Sequence, residues 1–171
     1  MVIWFTGLPG SGKTTLAVEL NRILSEKGFN TYVLDGDALR KGLNADLGFS
    51  DYDRSENIRR AAEVARILAL EGFIVLATFI SPFQKDRKKA RVILGSHYVE
   101  VFVNCPLEVC ELRDPKGMYR KARNGDIREF TGISSPYEIP VAPDIVISTG
   151  HSSVKDSLAV LQKEIQQRLA Q

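Results

Sequence analysis

The segment Gly7-Leu8-Pro9-Gly10-Ser11-Gly12-Lys13-Thr14 satisfies GxxxxGK[ST] at every fixed position. At ordinary glycine usage, a chance match in a chain of 171 residues is an event of roughly 1%. The context fits as well: the apolar run Val2-Ile3-Trp4-Phe5-Thr6 reads as a buried strand before the motif, and a helical pattern follows it. Glycines let the backbone wrap so that its N–H groups converge on phosphate oxygens at a helix N-terminus. Lys13 can place its charge on the β- and γ-phosphates, and the Thr14 hydroxyl can ligate Mg²⁺. Gly7, Leu8, Pro9, Gly10, Ser11, Gly12, Lys13, Thr14 and the adjoining Thr15 are therefore the expected nucleotide-triphosphate site.

A strand that feeds a phosphate loop and a helix belongs in an α/β layered domain, and the remaining pattern agrees. Leu16, Leu20, Ile23 and Leu24 recur at helical spacing, with Gly28 as a stop. Further short apolar runs at residues 31–34, 74–77, 99–103 and 145–148 read as strands. Between them, Ile58, Ala61, Ala62, Ala65 and Leu68 form a stripe behind Ser55 as the expected cap. Residues 84–94 read as a short basic helix. Val154, Leu158, Leu161, Ile165 and Leu169 form a last stripe, capped by Ser152 or Ser153. Alternating strands and helices imply a five-stranded parallel sheet covered on both faces, a three-layer α/β/α sandwich of the P-loop kinase type. One domain over residues 1–171 is expected, since the length suits one core and no linker or repeat appears. Residues 113–143 lack either period, and an irregular segment that long inside a compact domain reads as a functional lid.

Composition narrows the function class. Lys+Arg 23 against Asp+Glu 21 leaves a formal charge of +2, without the basic excess of a nucleic-acid binder. No apolar run reaches membrane-span length and no signal peptide opens the chain, so neither membrane nor export is expected. Cys105 and Cys110 form no CxxC pair, and a reducing cytoplasm is the expected home. His97 and His151 lie outside every motif. No [NT]KxD guanine-reading motif occurs, and larger ATPases need a longer chain. Small-molecule kinases fit the size, with Arg113, Lys116, Arg120, Lys121, Arg123 and Arg128 supplying a basic lid. Asp35 and Asp37 follow the second strand, where ligands of parallel sheets gather. Asp37 is read as the carboxylate that takes the acceptor proton or orders Mg²⁺-bound water, against the plainer reading of a helix cap.

Several blocks then carry a specific likeness. Leu34-Asp35-Gly36-Asp37-Ala38-Leu39-Arg40-Lys41-Gly42-Leu43-Asn44, Asp46-Leu47-Gly48-Phe49-Ser50 and Asp53-Arg54-Ser55-Glu56-Asn57-Ile58-Arg59-Arg60 resemble adenylyl-sulfate kinases. So do Ile80-Ser81-Pro82, Arg113-Asp114-Pro115-Lys116-Gly117-Met118-Tyr119-Arg120, Phe130-Thr131-Gly132-Ile133 and Pro136-Tyr137-Glu138. The likeness implies transfer of the ATP γ-phosphoryl group to the 3′-hydroxyl of adenylyl sulfate (APS), with Mg²⁺ as cofactor. It assigns chemistry to Asp37, Lys13, Ser81 and Lys116, with Asp37 also reaching the metal through water. Arg40, Arg54 and Asn57 would hold phosphosulfate and ribose, Phe49 and Phe130 would sandwich the acceptor adenine, and Ile80, Ser81 and Lys116 would complete the site. Ser81 matches a serine described in the family as a phosphoserine intermediate. An in-line transfer needs no such relay, and substrate contact is the expected role. The implied partners are ATP and APS. A homodimer, and ATP sulfurylase as fused or functional partner, are compatible with it.

Two departures stand out. Pro9 and Ser11 replace the family's usual serine and alanine at variable loop positions, and Ser134 and Ser135 replace two acids. The second change leaves the lid more basic. Two other readings stay open on the residues alone: a kinase for a sugar acid or nucleoside monophosphate, and a catalytically silent ATP-binding module.

Overall fold

The computed structural model describes residues 1–170. Five strands, β1 (Val2–Thr6), β2 (Thr31–Asp35), β3 (Ile74–Thr78), β4 (Tyr98–Asn104) and β5 (Ile145–Ser148), form one all-parallel sheet in the order β2-β3-β1-β4-β5. The sheet sits centrally because β1 is apolar on both sides. Ile3 and Phe5 pack with α1 (Lys13–Glu26) through Leu16, Leu20 and Leu24, and with Leu161 and Ile165 of the last helix (Val154–Leu169). Val2 and Trp4 pack on the opposite face with Ile58, Ala61, Ala62 and Ala65, and with Ala90 and Leu94. The small alanines let the helix over this face lie close to the sheet. These two cores on either side of one sheet are the expected three-layer sandwich.

Three local boundaries differ from the sequence reading. A five-residue helix, α2 (Gly36–Arg40), follows β2 at once, capped by Asp35 accepting from the N–H groups of Asp37 and Ala38. The next helix, α3 (Asp51–Leu70), starts before Ser55. Its cap is Ser50, whose Oγ accepts from the Asp53 N–H and donates to the Asp53 carboxylate. Ser55 was an attractive cap because the apolar stripe starts only at Ile58. The first turns instead point Arg54 and Asn57 toward the ligand cavity. Beyond α4 (Gln84–Leu94), the stretch over 113–143 is not wholly irregular. It begins at the end of α5 (Leu107–Arg113), contains α6 (Met118–Arg123) and has a bridge between Thr131 and Ser135. These short helices bury a third, smaller cluster of Cys105, Cys110, Tyr119, Ala122 and Phe130. The last helix, α7 (Val154–Leu169), is capped by Ser153.

Candidate active site

The phosphate loop is shaped by two backbone requirements. Gly7 adopts φ +151°, and a Cβ there would lie 2.6 Å from the Val103 carbonyl oxygen, so no other residue fits between β1 and β4. Gly12 takes a left-handed conformation (φ +100°) and turns the chain into α1. Lys13 folds back under this loop, donating to the carbonyls of Gly7 (2.9 Å) and Leu8 (2.7 Å). Burial lowers its pKa to about 8, so a phosphate arriving at the loop meets an ammonium short of counter-charge. The loop is braced from outside. The Thr149 hydroxyl donates to the Ser11 carbonyl (2.8 Å) and the Tyr119 hydroxyl to the Pro9 carbonyl (2.9 Å).

One cavity of about 1170 Å³ opens from this loop and runs to the first turns of α3. Large enough for two nucleotides, it lies outside the C-terminal ends of the strands, as expected for this sheet type. Residues 9–15 line one end, and Asp37, Arg40, Phe49, Arg54, Asn57, Ile80, Ser81, Lys116 and Phe130 line the rest. Gly7 and Leu8 alone among the expected residues lie off its wall. Their part is to hold Lys13 through their carbonyls.

The electrostatics of the acceptor end are unusual. Arg54 is buried, yet every partner it has is neutral. Nε donates to the Phe49 carbonyl (2.8 Å), and the Nη atoms donate to the Thr131 hydroxyl (2.9 Å) and the Glu129 carbonyl. Arg40 donates to the carbonyls of Leu47 and Gly48 (3.2 and 3.0 Å) and stacks over the Phe49 ring at 4.4 Å. Burial first, and for Arg40 the neighbouring Arg54 next, lowers the pKa of each. Among the described residues neither forms a salt bridge. Asp53 and Asp37 near Arg40, and Glu129 and Asp51 near Arg54, offset part of this charge, but with no carboxylate in hydrogen-bond contact the two adjacent cations can receive an anion. Asn57 is buried beside them and accepts from the Asn44 side-chain amide (2.9 Å).

The two aromatic residues differ. Phe49 is 57% exposed, whereas Phe130 is 7% exposed and packs edge-on against Tyr119 at 4.9 Å. Both line the cavity, but Phe130 also belongs to the small core that carries α6.

Asp37 pairs with Lys116, which brings the segment after α5 directly onto the first turn of α2. That bond raises the Lys116 pKa. The Thr14 hydroxyl instead donates weakly to Asp35 (3.5 Å), whose same oxygen accepts from Thr78 (3.0 Å). Asp35 thus caps α2 with one oxygen and faces Thr14 with the other, so the helix cap is Asp35 and not Asp37. Ser81 is 1% exposed in a left-handed conformation (φ 39°), and its Oγ accepts from the Trp4 indole N–H (3.2 Å). Arg87, itself paired with buried Glu100, donates to the Ser81 carbonyl (2.6 Å).

Comparison with known proteins gives the family. A profile of the adenylylsulphate kinase family matches residues 1–148. The chain belongs to the adenylylsulphate kinase family. An adenylyl-sulfate kinase of Clostridium kluyveri is 58% identical over 155 residues, covering 91% of this chain and 78% of that protein. A probable adenylyl-sulfate kinase of Bacillus subtilis is 51% identical over 168 residues, covering 98% and 84%. Among solved structures, the Mycobacterium tuberculosis APS kinase in complex with AMPPNP and APS superposes with a TM-score of 0.93 at 48% identity, covering 96% of each chain. Shikimate kinase from Aquifex aeolicus shares the fold at 17% identity and a TM-score of 0.58.

Within this family frame, the residues that sequence reasoning passed over are the braces. Thr78 and Thr149 carry no motif of their own, and Tyr119, though inside a block that carries the family likeness, has its bracing role revealed only by the packing of distant segments. The basic lid also divides. Arg113 donates to the Thr149 carbonyl (2.5 Å) and Arg123 is bidentate on Glu111 (2.7 and 2.9 Å), so both are structural ties. Arg128 lines the cavity, as does Arg113 in addition to its tie.

Proposed function

We infer that the chain transfers the γ-phosphoryl group of ATP to the 3′-hydroxyl of adenylyl sulfate, giving 3′-phosphoadenylyl sulfate and ADP. The observation that carries this reading is the pair Arg40 and Arg54, two cations that form no salt bridge among the described residues, beside the exposed ring of Phe49 and in one cavity with the phosphate loop. A phosphosulfate supplies the missing negative charge and its adenine the missing stacking partner. A sugar acid would leave the Phe49 ring without a partner.

In the transfer, Asp37 accepts the hydroxyl proton as the 3′-oxygen forms its bond to the γ-phosphorus and the bond to the β-phosphate oxygen breaks. Its present partner Lys116 is placed to move onto the phosphates when both nucleotides are bound. Lys13 stays on the β- and γ-oxygens, where its charge offsets the charge of the leaving diphosphate. The residues fit a Mg²⁺ ion that keeps most of its waters. Thr14 offers one hydroxyl, Asp35 lies within hydrogen-bond reach of it, and the described residues contain no cluster of three acidic, His or Cys ligands that would mark an all-protein cage. Bound there with ATP, the ion would neutralise phosphate charge. Asp35 would hold its water, leaving Asp37 free for the acceptor. Ser81 would meet substrate at the cavity wall, its Oγ accepting from the Trp4 indole while its O–H stays free to donate.

Residues 1–171 act in this reading as one kinase domain, with residues 113–143 as the lid. No helix among the described residues is long and apolar enough to cross a membrane. The reading takes the reaction to be cytoplasmic, in keeping with its use of ATP. Purified protein with ATP and Mg²⁺, offered APS, shikimate, gluconate and AMP in turn, tests the assignment. ADP release with APS alone supports it, and release with another acceptor but not with APS overturns it.

A further inference from the structure

The turn Ile80-Ser81-Pro82, shortly after β3, lines the cavity, and its middle residue holds an uncommon backbone state. Ser81 takes φ 39°, and among the described residues only Asp114 is a second non-glycine residue with positive φ. A serine keeps such a conformation only where its surroundings impose it, and backbone strain of this kind gathers at functional sites. Two restraints come from β1. The Trp4 indole N–H donates to the Ser81 Oγ (3.2 Å), and the Thr6 hydroxyl donates to the Ile80 carbonyl (2.8 Å).

The third restraint comes from a residue that is not part of the cavity wall. Arg87 is buried in the first turn of α4 and donates to the Ser81 carbonyl through Nη1 and to the Glu138 carbonyl through Nη2, both at 2.6 Å. Its Nε lies 3.0 Å from the carboxylate of buried Glu100 on β4, which sets the direction of the guanidinium plane. Arg91 meets the same carboxylate (3.5 Å) and Asp144 (2.7 Å), so Glu100 is itself held in place. A buried ion pair adds little net stability. What this one supplies is an aimed fork, with its two outer nitrogens on carbonyls of separate segments. The Glu138 end belongs to the returning part of residues 113–143. There the Glu138 N–H donates to the Pro82 carbonyl (2.8 Å), and the Tyr137 hydroxyl meets that of Thr6 (2.9 Å).

We propose that Arg87 is a positioning residue for the transfer. Without touching substrate, it fixes the Ser81 turn as cavity wall and ties that turn to the returning end of the lid. This rests on the kinase reading above. Lysine cannot replace it, because a compact ammonium can stay beside Glu100 but cannot also reach both carbonyls as a planar fork does.

Arg87→Lys and Glu100→Gln separate positioning from stability. Glu100→Gln breaks the buried pair but leaves both carbonyl contacts, so the melting temperature should fall while kcat with ATP and APS stays at the wild-type value. Arg87→Lys keeps a charge opposite Glu100 but loses the fork, so kcat should fall by about 10- to 100-fold, the scale of a slightly misplaced site. Its affinity for AMPPNP should hold, since Thr149 and Tyr119 brace the phosphate loop independently. Trp4, the single tryptophan, gives a readout that needs no activity. Its N–H follows Ser81, so its fluorescence emission should change in Arg87→Lys and not in Glu100→Gln. Arg87→Met combined with Glu100→Met leaves neither charge buried. It should repeat the loss of kcat, and it answers the same question should the lysine variant fail to fold. Wild-type kcat and Trp4 emission in Arg87→Lys overturn the proposal. So does a loss of kcat that merely tracks melting temperature across all the variants, as a purely structural arginine requires. Wild-type protein that releases no ADP with APS would instead overturn the kinase reading, and Trp4 emission would still show whether Arg87 holds the Ser81 turn.

Discussion

Phe49 and Phe130 line one cavity but in different mechanical settings, and truncating each should separate binding from folding. Phe49 is 57% exposed and contacts the Arg40 guanidinium. Phe49→Ala forfeits an exposed cation–π contact of about 0.5–1 kcal/mol. In a domain of this size that lowers the melting temperature by at most about 4 °C. If the ring stacks on the acceptor adenine, about 1–3 kcal/mol of stacking is lost with it. The kcat/KM for APS then falls about 5- to 150-fold while the KM for ATP holds. Phe130 is 7% exposed in the cluster with Tyr119, Cys105 and Cys110. Phe130→Ala leaves a cavity there at about 3–5 kcal/mol, roughly 6–20 °C in melting temperature. The APS parameter should fall as well. Because Tyr119 braces the Pro9 carbonyl, the KM for ATP should rise in this variant only. Thermal melts and both KM values for the two variants make the comparison. A Phe49→Ala protein that loses ATP affinity and stability together while keeping its APS kinetics would refute the stacking argument.

Other perturbations address the chemistry. Asp37→Asn should lower kcat by about 10²-fold or more with the fold retained, the usual consequence of losing a general base; near-normal kcat removes Asp37 from proton transfer. Burial holds the Lys13 pKa at about 8, and ATP prefers the protonated form, so kcat/KM for ATP should fall as pH rises through about 8. A flat profile to pH 9.5 would contradict that sign. Limited proteolysis should cut residues 113–143 in the free protein and be suppressed by AMPPNP with APS, because the Lys116–Asp37 pair is its exposed tie to α2. Equal cleavage with and without ligands would remove the closing lid.

The sheet and its covering helices were legible because β1 and β3 are continuous apolar runs and the stripe at Leu16, Leu20 and Leu24 has one period. The phosphate loop was legible because backbone geometry demands glycine at fixed places, as the 2.6 Å approach at Gly7 shows. The start of α3 was not, since Arg54 and Asn57 are polar residues buried toward a cavity and break the apolar pattern that marks a helix face. Nor was the order inside 113–143, where α6 is six residues long and holds its place by packing Tyr119 and Ala122 on Cys105 and Cys110 rather than by periodicity. The acceptor residues were found through family likeness. No spacing rule would have joined Phe49 to Phe130 or shown that Arg54 forms no salt bridge among the described residues.

The central claim is that one cavity holds ATP and APS so that phosphate moves to the 3′-oxygen. Nuclear magnetic resonance of the product formed from APS, ATP and Mg²⁺ tests it most directly. The account predicts one new phosphomonoester, coupled to the ribose 3′-proton, appearing in step with ADP and absent without protein. A phosphate on any other oxygen, or ADP formed at the same rate without APS, would contradict it.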